Sequence, residues 1–177
     1  MKPRRWSALR AAVVAAMAVA VGSVAAGTPA NADPIDDGGV AQIATARVGG
    51  IRYCIIPTSE LRACGALPSP AGRYTFIART CWSTQLLCYE IRTAQGECLY
   101  YDTGLNKIGY TTCATNLRFR WRIDELDAFG TVRLRPASHT SRCVVYDPAR
   151  VPGYPYTFIE ECSTRPASHT WLRLLRV

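Results

Sequence analysis

Beyond residue 40 the chain alternates short stretches of β-branched and aromatic residues with clusters of Gly, Pro, Asp and Asn. Few windows place apolar residues at helical spacing. Short apolar runs bounded by turn-forming residues are typical of strands. The clearest runs are Arg52–Ile56, Tyr74–Ala78, Thr131–Arg135 and Tyr156–Glu160. The pattern therefore predicts an all-β fold.

The amino-terminal segment has a different pattern. Four basic residues precede an uncharged apolar run, Ala11 to Ala26, and small residues follow up to Ala32. These three parts are typical of a secretory signal peptide, with cleavage expected after Ala32. The alternative is a retained anchor, but the run is rich in Ala, which is weakly hydrophobic. We expect a secreted protein without a stable membrane anchor, beginning with a flexible, solvated lead-in at residues 33–39.

Three segments of the remaining chain resemble one another, at about residues 40–88, 89–130 and 131–177. Each opens with an apolar strand and continues to a cysteine followed by two apolar or aromatic residues. The leading cysteines are Cys54, Cys98 and Cys143, spaced 44 and 45 residues apart, and the closing cysteines are interpreted as Cys81, Cys113 and Cys162. Repeats of a few strands each cannot bury their apolar faces alone, so they are expected to share one core.

The later repeats also place a tryptophan, Trp121 or Trp171, eight or nine residues after the closing cysteine, and we expect both in the core. The first repeat departs from the pattern because Pro57 to Gly72 is interpreted as an insertion. Its final strand is either shortened after Trp82 or fused with Cys88 and Tyr89. A threefold β-barrel forming a single domain, residues 40–177, is the predicted architecture.

The Cys-Leu strand, the closing cysteine and the following tryptophan resemble the ricin B-type β-trefoil family over residues 40–177. The segment Val132–Pro136, with a later Cys-Val, is also similar to the lectin-like subunits of cytolethal distending toxins. The resemblance implies a β-trefoil with intra-repeat disulfides. The implied pairs are Cys54–Cys81, Cys98–Cys113 and Cys143–Cys162, with Cys64–Cys88 as the fourth.

All eight cysteines follow Ala32, and an even number behind a signal peptide indicates disulfides. Paired Cys-x-x-Cys spacings are absent, so neither a metal site nor a cofactor is expected. Removal of the signal leaves 17 basic against 13 acidic residues. This mild, evenly spread charge does not indicate a nucleic-acid partner.

The family's sugar site needs a carboxylate, an aromatic face and amide groups. The positions that the resemblance assigns to the carboxylate hold Ile56, Tyr100 and Val145, and the Gln positions hold Phe119 and His169, so the usual galactose-binding set is absent. Two repeats instead share a Tyr-Asp pair at the same position. The candidate ligand-binding residues are Tyr101, Asp102, Tyr110, Asn116, Tyr146, Asp147, Tyr154 and Tyr156. The alternative is that Asp102 and Asp147 only begin turns.

No catalytic constellation stands out, and the two histidines lie in identical Arg-Pro-Ala-Ser-His-Thr hexapeptides that are out of phase with the repeat. We therefore expect a carbohydrate-binding module without catalytic activity, whose partner is a glycan or a cell-surface glycoconjugate. The first alternative is a protein- or receptor-binding trefoil, such as a toxin delivery subunit with a partner toxin subunit or secreted protein. The second is a protease inhibitor that presents the loop between Pro57 and Gly72.

Overall fold

The computed structural model describes residues 35–81, 86–125, 131–147, 149 and 156–177. The described residues belong to one compact unit, Asp33–Val177. The predicted signal peptide, residues 1–32, lies outside the described residues. No helix in the described ranges is both long and apolar enough to cross a membrane.

Strands dominate the described part of the chain, as the hydrophobic pattern predicts. The strands are β1 (Val40–Thr45), β2 (Tyr53–Ile55), β3 (Leu61–Ala63), β4 (Arg73–Thr80), β5 (Leu87–Thr93), β6 (Cys98–Asp102), β7 (Lys107–Thr111), β8 (Trp121–Glu125), β9 (Thr131–Pro136), β10 (Arg142–Val145), β11 (Phe158–Glu161) and β12 (Leu172–Arg176). Short 3-10 helices cover Cys64–Ala66 and Leu117–Phe119, and α1 covers Ala167–Thr170.

Six of these strands close into an antiparallel barrel in the order β1, β12, β9, β8, β5, β4 and back to β1. The other six form three hairpins, β2–β3, β6–β7 and β10–β11. A closed six-stranded barrel with three hairpins is a β-trefoil, so the predicted fold class is confirmed.

The same connectivity occurs three times along the chain: a barrel strand, a hairpin, then a second barrel strand. In the first unit the second barrel strand is β4, which ends at Thr80. The final strand of the first repeat is therefore neither a shortened strand after Trp82 nor a strand fused with Cys88 and Tyr89, and both predictions were wrong. The segment from Pro57 to Gly72 contains β3, the second strand of the hairpin. Its middle is therefore paired with β2 rather than projecting as a free inhibitory loop, although Arg62 is exposed.

This arrangement corrects two of the predicted disulfides. Cys54 bonds to Cys64 instead of Cys81, because β2 pairs with β3 and brings their Cα atoms to 5.0 Å. Cys81 bonds to Cys88 instead, because β4 pairs with β5 and brings the Cα atoms of the two cysteines to 5.3 Å. The predicted Cys98–Cys113 bond is present.

The predicted Cys143–Cys162 bond is not formed, and both residues are thiols. They occupy the positions in the third hairpin that Cys98 and Cys113 occupy in the second, and their side chains are close enough to hydrogen-bond. Burial raises the pKa of the Cys143 thiol well above its usual range, and the contact with Cys162 adds to the shift.

The core lies inside the barrel and beneath the hairpins. Trp121 is fully buried, as predicted, and its indole Nε1 donates to the Leu99 carbonyl at 3.0 Å. The prediction for Trp171 was wrong, since its side chain is 39% exposed. β12 begins one residue later, and Leu172 takes the buried place opposite Val132. A shift of one residue inverts which side chains of a strand face the core.

The predicted flexible lead-in is also corrected for its described residues. Ile35 is 2% exposed and belongs to the core. Gly38 and Gly39 exchange backbone hydrogen bonds with Phe76, and the Asp37 carboxylate accepts from the Ala78 amide at 2.8 Å. Paired backbone groups and a buried side chain tie this segment to β4.

Candidate functional site

The third hairpin places three of the predicted ligand-binding residues around one pocket. Tyr146, Asp147 and Tyr156 line a hollow of about 190 Å³ near the end of β10 and the start of β11. The other lining residues are Val145, Phe158, Glu160 and Arg165. The pocket combines aromatic rings, carboxylates and a guanidinium within one small volume.

Tyr146 forms the floor of this pocket and is held on two sides. Its amide donates to the His169 carbonyl at 2.9 Å, and its hydroxyl accepts from the Ala46 amide at 3.2 Å. The ring is only 2% exposed. Burial raises the pKa of Tyr146, and the hydrogen bond from Ala46 opposes that shift. Tyr146 is thus a rigid neutral wall whose main contribution is shape.

Asp147 lies two residues after the end of β10 and serves two purposes. Its Oδ1 accepts from the Ala149 amide at 3.0 Å, which is the turn geometry expected of Asp at this position. The same carboxylate lines the pocket. The same side chain therefore forms the turn and lines the pocket, so its role in the turn is compatible with a place in the candidate site.

The aromatic walls are Tyr156 and Phe158, each 44% exposed. Between them, Thr157 is buried, and its amide and hydroxyl both donate to the Ser59 carbonyl, at 3.2 and 3.3 Å. Tyr156 also bridges to Glu60 through the backbone. The turn of the first hairpin therefore positions one wall of a pocket in the third.

The charged wall is a pair formed by Glu160 and Arg165. Arg165 donates to both carboxylate oxygens, Nε to Oε2 at 2.6 Å and Nη2 to Oε1 at 3.0 Å. This bidentate contact holds the pKa of Glu160 below its usual range, although partial burial opposes the shift. The hydrogen bond to Glu160 raises the pKa of Arg165, and the charges of Glu160 and Asp147 add to the shift.

Sequence reasoning missed Phe158, Glu160 and Arg165. The signal for two of them was present, because side chains two apart on a strand face the same side. The run from Tyr156 to Glu160 was identified as a strand, and Ile159, buried at 1%, marks its inner face. Arg165 gave no such signal, since it reaches the pocket from a turn after the strand.

The matching pair in the second repeat has a different environment. Tyr101 is 1% exposed, and its hydroxyl donates to the Asn106 amide oxygen at 2.9 Å. Asp102 Oδ1 accepts from the amides of Gly104 and Leu105, at 3.0 and 3.2 Å. These contacts are those of a turn, and neither residue lines the pocket of the third hairpin.

The remaining candidates also lie apart from that pocket. The hydroxyls of Tyr110 and Tyr74 hydrogen-bond at 3.0 Å within the packed interior. The Asn116 side chain accepts from the Arg118 amide at 3.0 Å and caps a 3-10 helix. Tyr154 lies outside the described residues.

A second charged cluster surrounds Glu90, which is 4% exposed. Its carboxylate contacts Arg120 at 2.8 Å, Arg92 at 2.6 Å and Arg79 at 3.7 Å. Possible metal-ligand atoms of Glu90, Cys98 and Cys113 lie together. The two sulfurs are bonded to each other, however, and a metal needs thiolate ligands. The cluster is therefore a structural ion network.

Comparison with known proteins gives matches at the level of structure only. No family profile matches the sequence, and no curated protein matches it. The BEL beta-trefoil superposes with a TM-score of 0.60 at 15% identity, covering 80% of this chain and 95% of that one.

Two further solved structures show the same fold. The cytolethal distending toxin of Haemophilus ducreyi gives a TM-score of 0.56 at 12% identity, covering 82% of this chain and 86% of that one. SeviL, solved bound to the asialo-GM1 saccharide, gives a TM-score of 0.52 at 14% identity, covering 78% of this chain and 98% of that one. The chain is therefore a divergent β-trefoil, similar in fold to the BEL beta-trefoil, SeviL and this toxin.

Proposed function

We propose that this protein is a secreted carbohydrate-binding β-trefoil whose binding site is the pocket of the third hairpin. The observation that carries the proposal is the convergence of Asp147, Tyr156, Phe158 and Arg165 on one small hollow. SeviL, whose fold is similar, is described as bound to a saccharide, which supports the ligand class.

The chemistry of the pocket suits a sugar. Exposed rings of Tyr156 and Phe158 offer apolar faces to the C–H side of a pyranose, and a tyrosine adds a polar edge. Asp147 supplies acceptors for adjacent hydroxyls, and Arg165 supplies a planar set of donors. Small ligand sites commonly combine apolar walls with a few fixed polar groups in this way.

Secretion and the absence of catalysis are part of the proposal. Three disulfides favour an oxidising compartment, in agreement with the signal peptide predicted from residues 1–32. In the pocket, Glu160 is held as a carboxylate by Arg165, which does not favour a role as a proton donor near neutral pH. Binding without turnover is the expected behaviour.

The test is a glycan array built from mono- to tetrasaccharides of galactose, glucose, mannose, fucose and N-acetylhexosamines. Wild-type mature protein is compared with Asp147→Asn and with the matched control Asp102→Asn. Asn preserves both turns, so folding is retained, and only the charge is removed. We expect Asp147→Asn to lose binding and Asp102→Asn to keep it. Silence of the wild-type protein across the array would refute the proposal.

A second candidate is a receptor-binding toxin subunit that recognises protein. It is favoured by the exposed Leu86 and Leu87, 47% and 40%, which line a shallow hollow with Arg79, and by the similarity to the Haemophilus ducreyi toxin. Binding to cultured cells separates the two functions. Loss after glycosidase treatment supports the glycan site, whereas loss only after surface proteolysis, together with insensitivity to Asp147→Asn, supports protein recognition.

A further inference from the structure

A second hollow adjoins the candidate sugar pocket, where the third hairpin meets the second. It has a volume of about 340 Å³ and is lined by Asn106, Arg142, Phe158, Ile159, Glu160, Glu161 and Thr164. Phe158 and Glu160 line both hollows. The two hollows are therefore neighbours along β11 and share the exposed Phe158.

The junction between the hairpins is fixed by backbone contact. The Ile159 amide donates to the Asn106 carbonyl at 2.8 Å, so β11 is docked on the turn between β6 and β7. Asn106 has a positive φ of 49°, a conformation that Asn tolerates better than most residues. The second hollow is thus built from two repeats and has rigid walls.

Arg142 supplies the guanidinium of this hollow, and three contacts hold it in place. Its Nη1 donates to the Tyr101 hydroxyl at 2.7 Å and to Asn106 Oδ1 at 2.5 Å, and its Nε donates to Glu161 at 3.2 Å. Among the described residues, no hydrogen bond from Nη2 forms, which leaves donors that can face a ligand. The Tyr101 hydroxyl therefore accepts a hydrogen bond that positions Arg142, a role that the sequence did not predict.

Charge and size indicate the ligand. Each hollow contains an arginine paired with a glutamate, Arg165 with Glu160 and Arg142 with Glu161. With the carboxylate of Asp147 included, the two hollows hold three acidic and two basic side chains, which favours an uncharged, hydroxyl-rich ligand over a polyanion. The first hollow, at about 190 Å³, is smaller than the range of about 300 to 1,000 Å³ usual for ligand pockets, and the second, at about 340 Å³, lies at the lower end of that range.

We propose that the site extends across Phe158 into this second hollow, so that its ligand is a neutral oligosaccharide of at least two units. One sugar lies against Asp147 and Tyr156, and the next lies against Arg142 and Thr164. The inference rests on the proposed carbohydrate-binding function and specifies the length of the ligand. Phe158 is the shared apolar surface between the two subsites.

The test is calorimetric titration with the array-positive tetrasaccharide and its truncated tri-, di- and monosaccharides. Thr164 is exposed and lines the second hollow but not the first, so Thr164→Tyr adds bulk at the second hollow. Thr80→Tyr is the matched control, since the exposed Thr80 lines the separate hollow beside Leu87. We expect wild type to bind the disaccharide about tenfold more tightly than the monosaccharide. Thr164→Tyr should abolish this tenfold preference for the disaccharide, whereas Thr80→Tyr should keep it.

The outcomes separate the two proposals. Equal affinity of wild type for the mono- and disaccharide overturns the second subsite and leaves the sugar pocket standing. The second subsite is likewise overturned if Thr164→Tyr and Thr80→Tyr both still bind the disaccharide more tightly than the monosaccharide. No binding of any sugar by wild type overturns the carbohydrate function and the extended site together.

Discussion

At the scale of single residues, Glu90 is a buried acidic side chain surrounded by basic ones. One buried carboxylate is shared by three arginines, of which Arg120 has a side chain only 10% exposed. Burial by itself would raise the pKa of Glu90, but the hydrogen bond from Arg92 and the charges of Arg120 and Arg92 outweigh it and lower the pKa. The charged form of Glu90 therefore stabilises the fold.

We predict that Glu90→Gln lowers the free energy of unfolding by about 3 kcal/mol, because it leaves the guanidinium of Arg120 buried without a counter-charge. Urea denaturation at pH 7 measures this, with the exposed Glu97→Gln as control. In the wild type, the ionised Glu90 contributes its full stabilisation at pH values above the pKa of Glu90 in the unfolded chain, near 4.5. This stabilisation is lost as the pH falls through the lower pKa that Glu90 has in the folded protein. The variant should lack that acid dependence, and an unchanged pH profile would contradict this account.

Tyr110 provides a second prediction at this scale. Its hydroxyl contacts that of Tyr74, which in turn donates to the Ile55 carbonyl. Tyr110→Phe removes one buried hydrogen bond and should cost about 1 kcal/mol of stability. Glycan binding should be unaffected, whereas Tyr156→Ala should reduce it. Loss of binding by Tyr110→Phe with unchanged stability would instead place Tyr110 in a site, as the sequence suggested.

The sequence could identify the right kind of residue but not which copy has a pocket. Tyr101–Asp102 and Tyr146–Asp147 have the same local pattern, and both aspartates form turns. They differ because Tyr156, Phe158 and Arg165 gather around Asp147. That gathering depends on contacts distant in sequence, such as Ser59 with Thr157, which a repeat pattern does not contain.

At the scale of elements, the cysteine spacing predicted three repeated units and assigned the first one incorrectly. In the second repeat the closing cysteine follows the second hairpin strand, and Cys64 has the same relation to β3. Cys81 instead follows the barrel strand β4. The run Tyr74–Ala78 is apolar and precedes a cysteine, so spacing alone could not distinguish a barrel strand from a hairpin strand.

Disulfide mapping tests the corrected assignment. Proteolysis without reduction, followed by mass spectrometry, should recover Cys54 linked to Cys64 and Cys81 linked to Cys88. Both pairs close short loops between adjacent strands, with Cα atoms 5.0 and 5.3 Å apart, within the usual disulfide range of about 4.4 to 6.8 Å. Recovery of Cys54 linked to Cys81 would contradict the strand pairing described here.

The third hairpin gives a separate prediction about reactivity. Cys143 is buried and its thiol pKa is raised, whereas Cys162 is partly exposed. Since the thiolate is the reactive form, iodoacetamide should label Cys162 first in the native protein and Cys143 only after unfolding. Labelling is followed by peptide mass spectrometry. If both residues react only after reduction, they are joined in a disulfide rather than present as thiols.

At the scale of the whole molecule, a closed barrel must seal its interior, and the segment before β1 takes part. The Ile35 side chain lies in the core, and its carbonyl accepts from the Tyr89 hydroxyl at 3.1 Å. The fit is close, since a Cβ on Gly39 would lie 2.8 Å from the Ile35 side chain. The burial of Ile35 could not be predicted from the sequence, because a single isoleucine among Asp and Gly residues forms no periodic apolar pattern.

We predict that Ile35→Ala lowers the free energy of unfolding by about 2 to 4 kcal/mol, as large-to-small changes in a core do. The control is Leu105→Ala, whose side chain is 62% exposed and whose loss should change stability by no more than about 0.5 kcal/mol. Urea denaturation of the mature chain measures both. A similarly small effect for the two variants would mean that residues 35–39 are solvated, as their polar composition suggested. A large effect for Ile35→Ala alone would show that the barrel is sealed by residues outside its six strands.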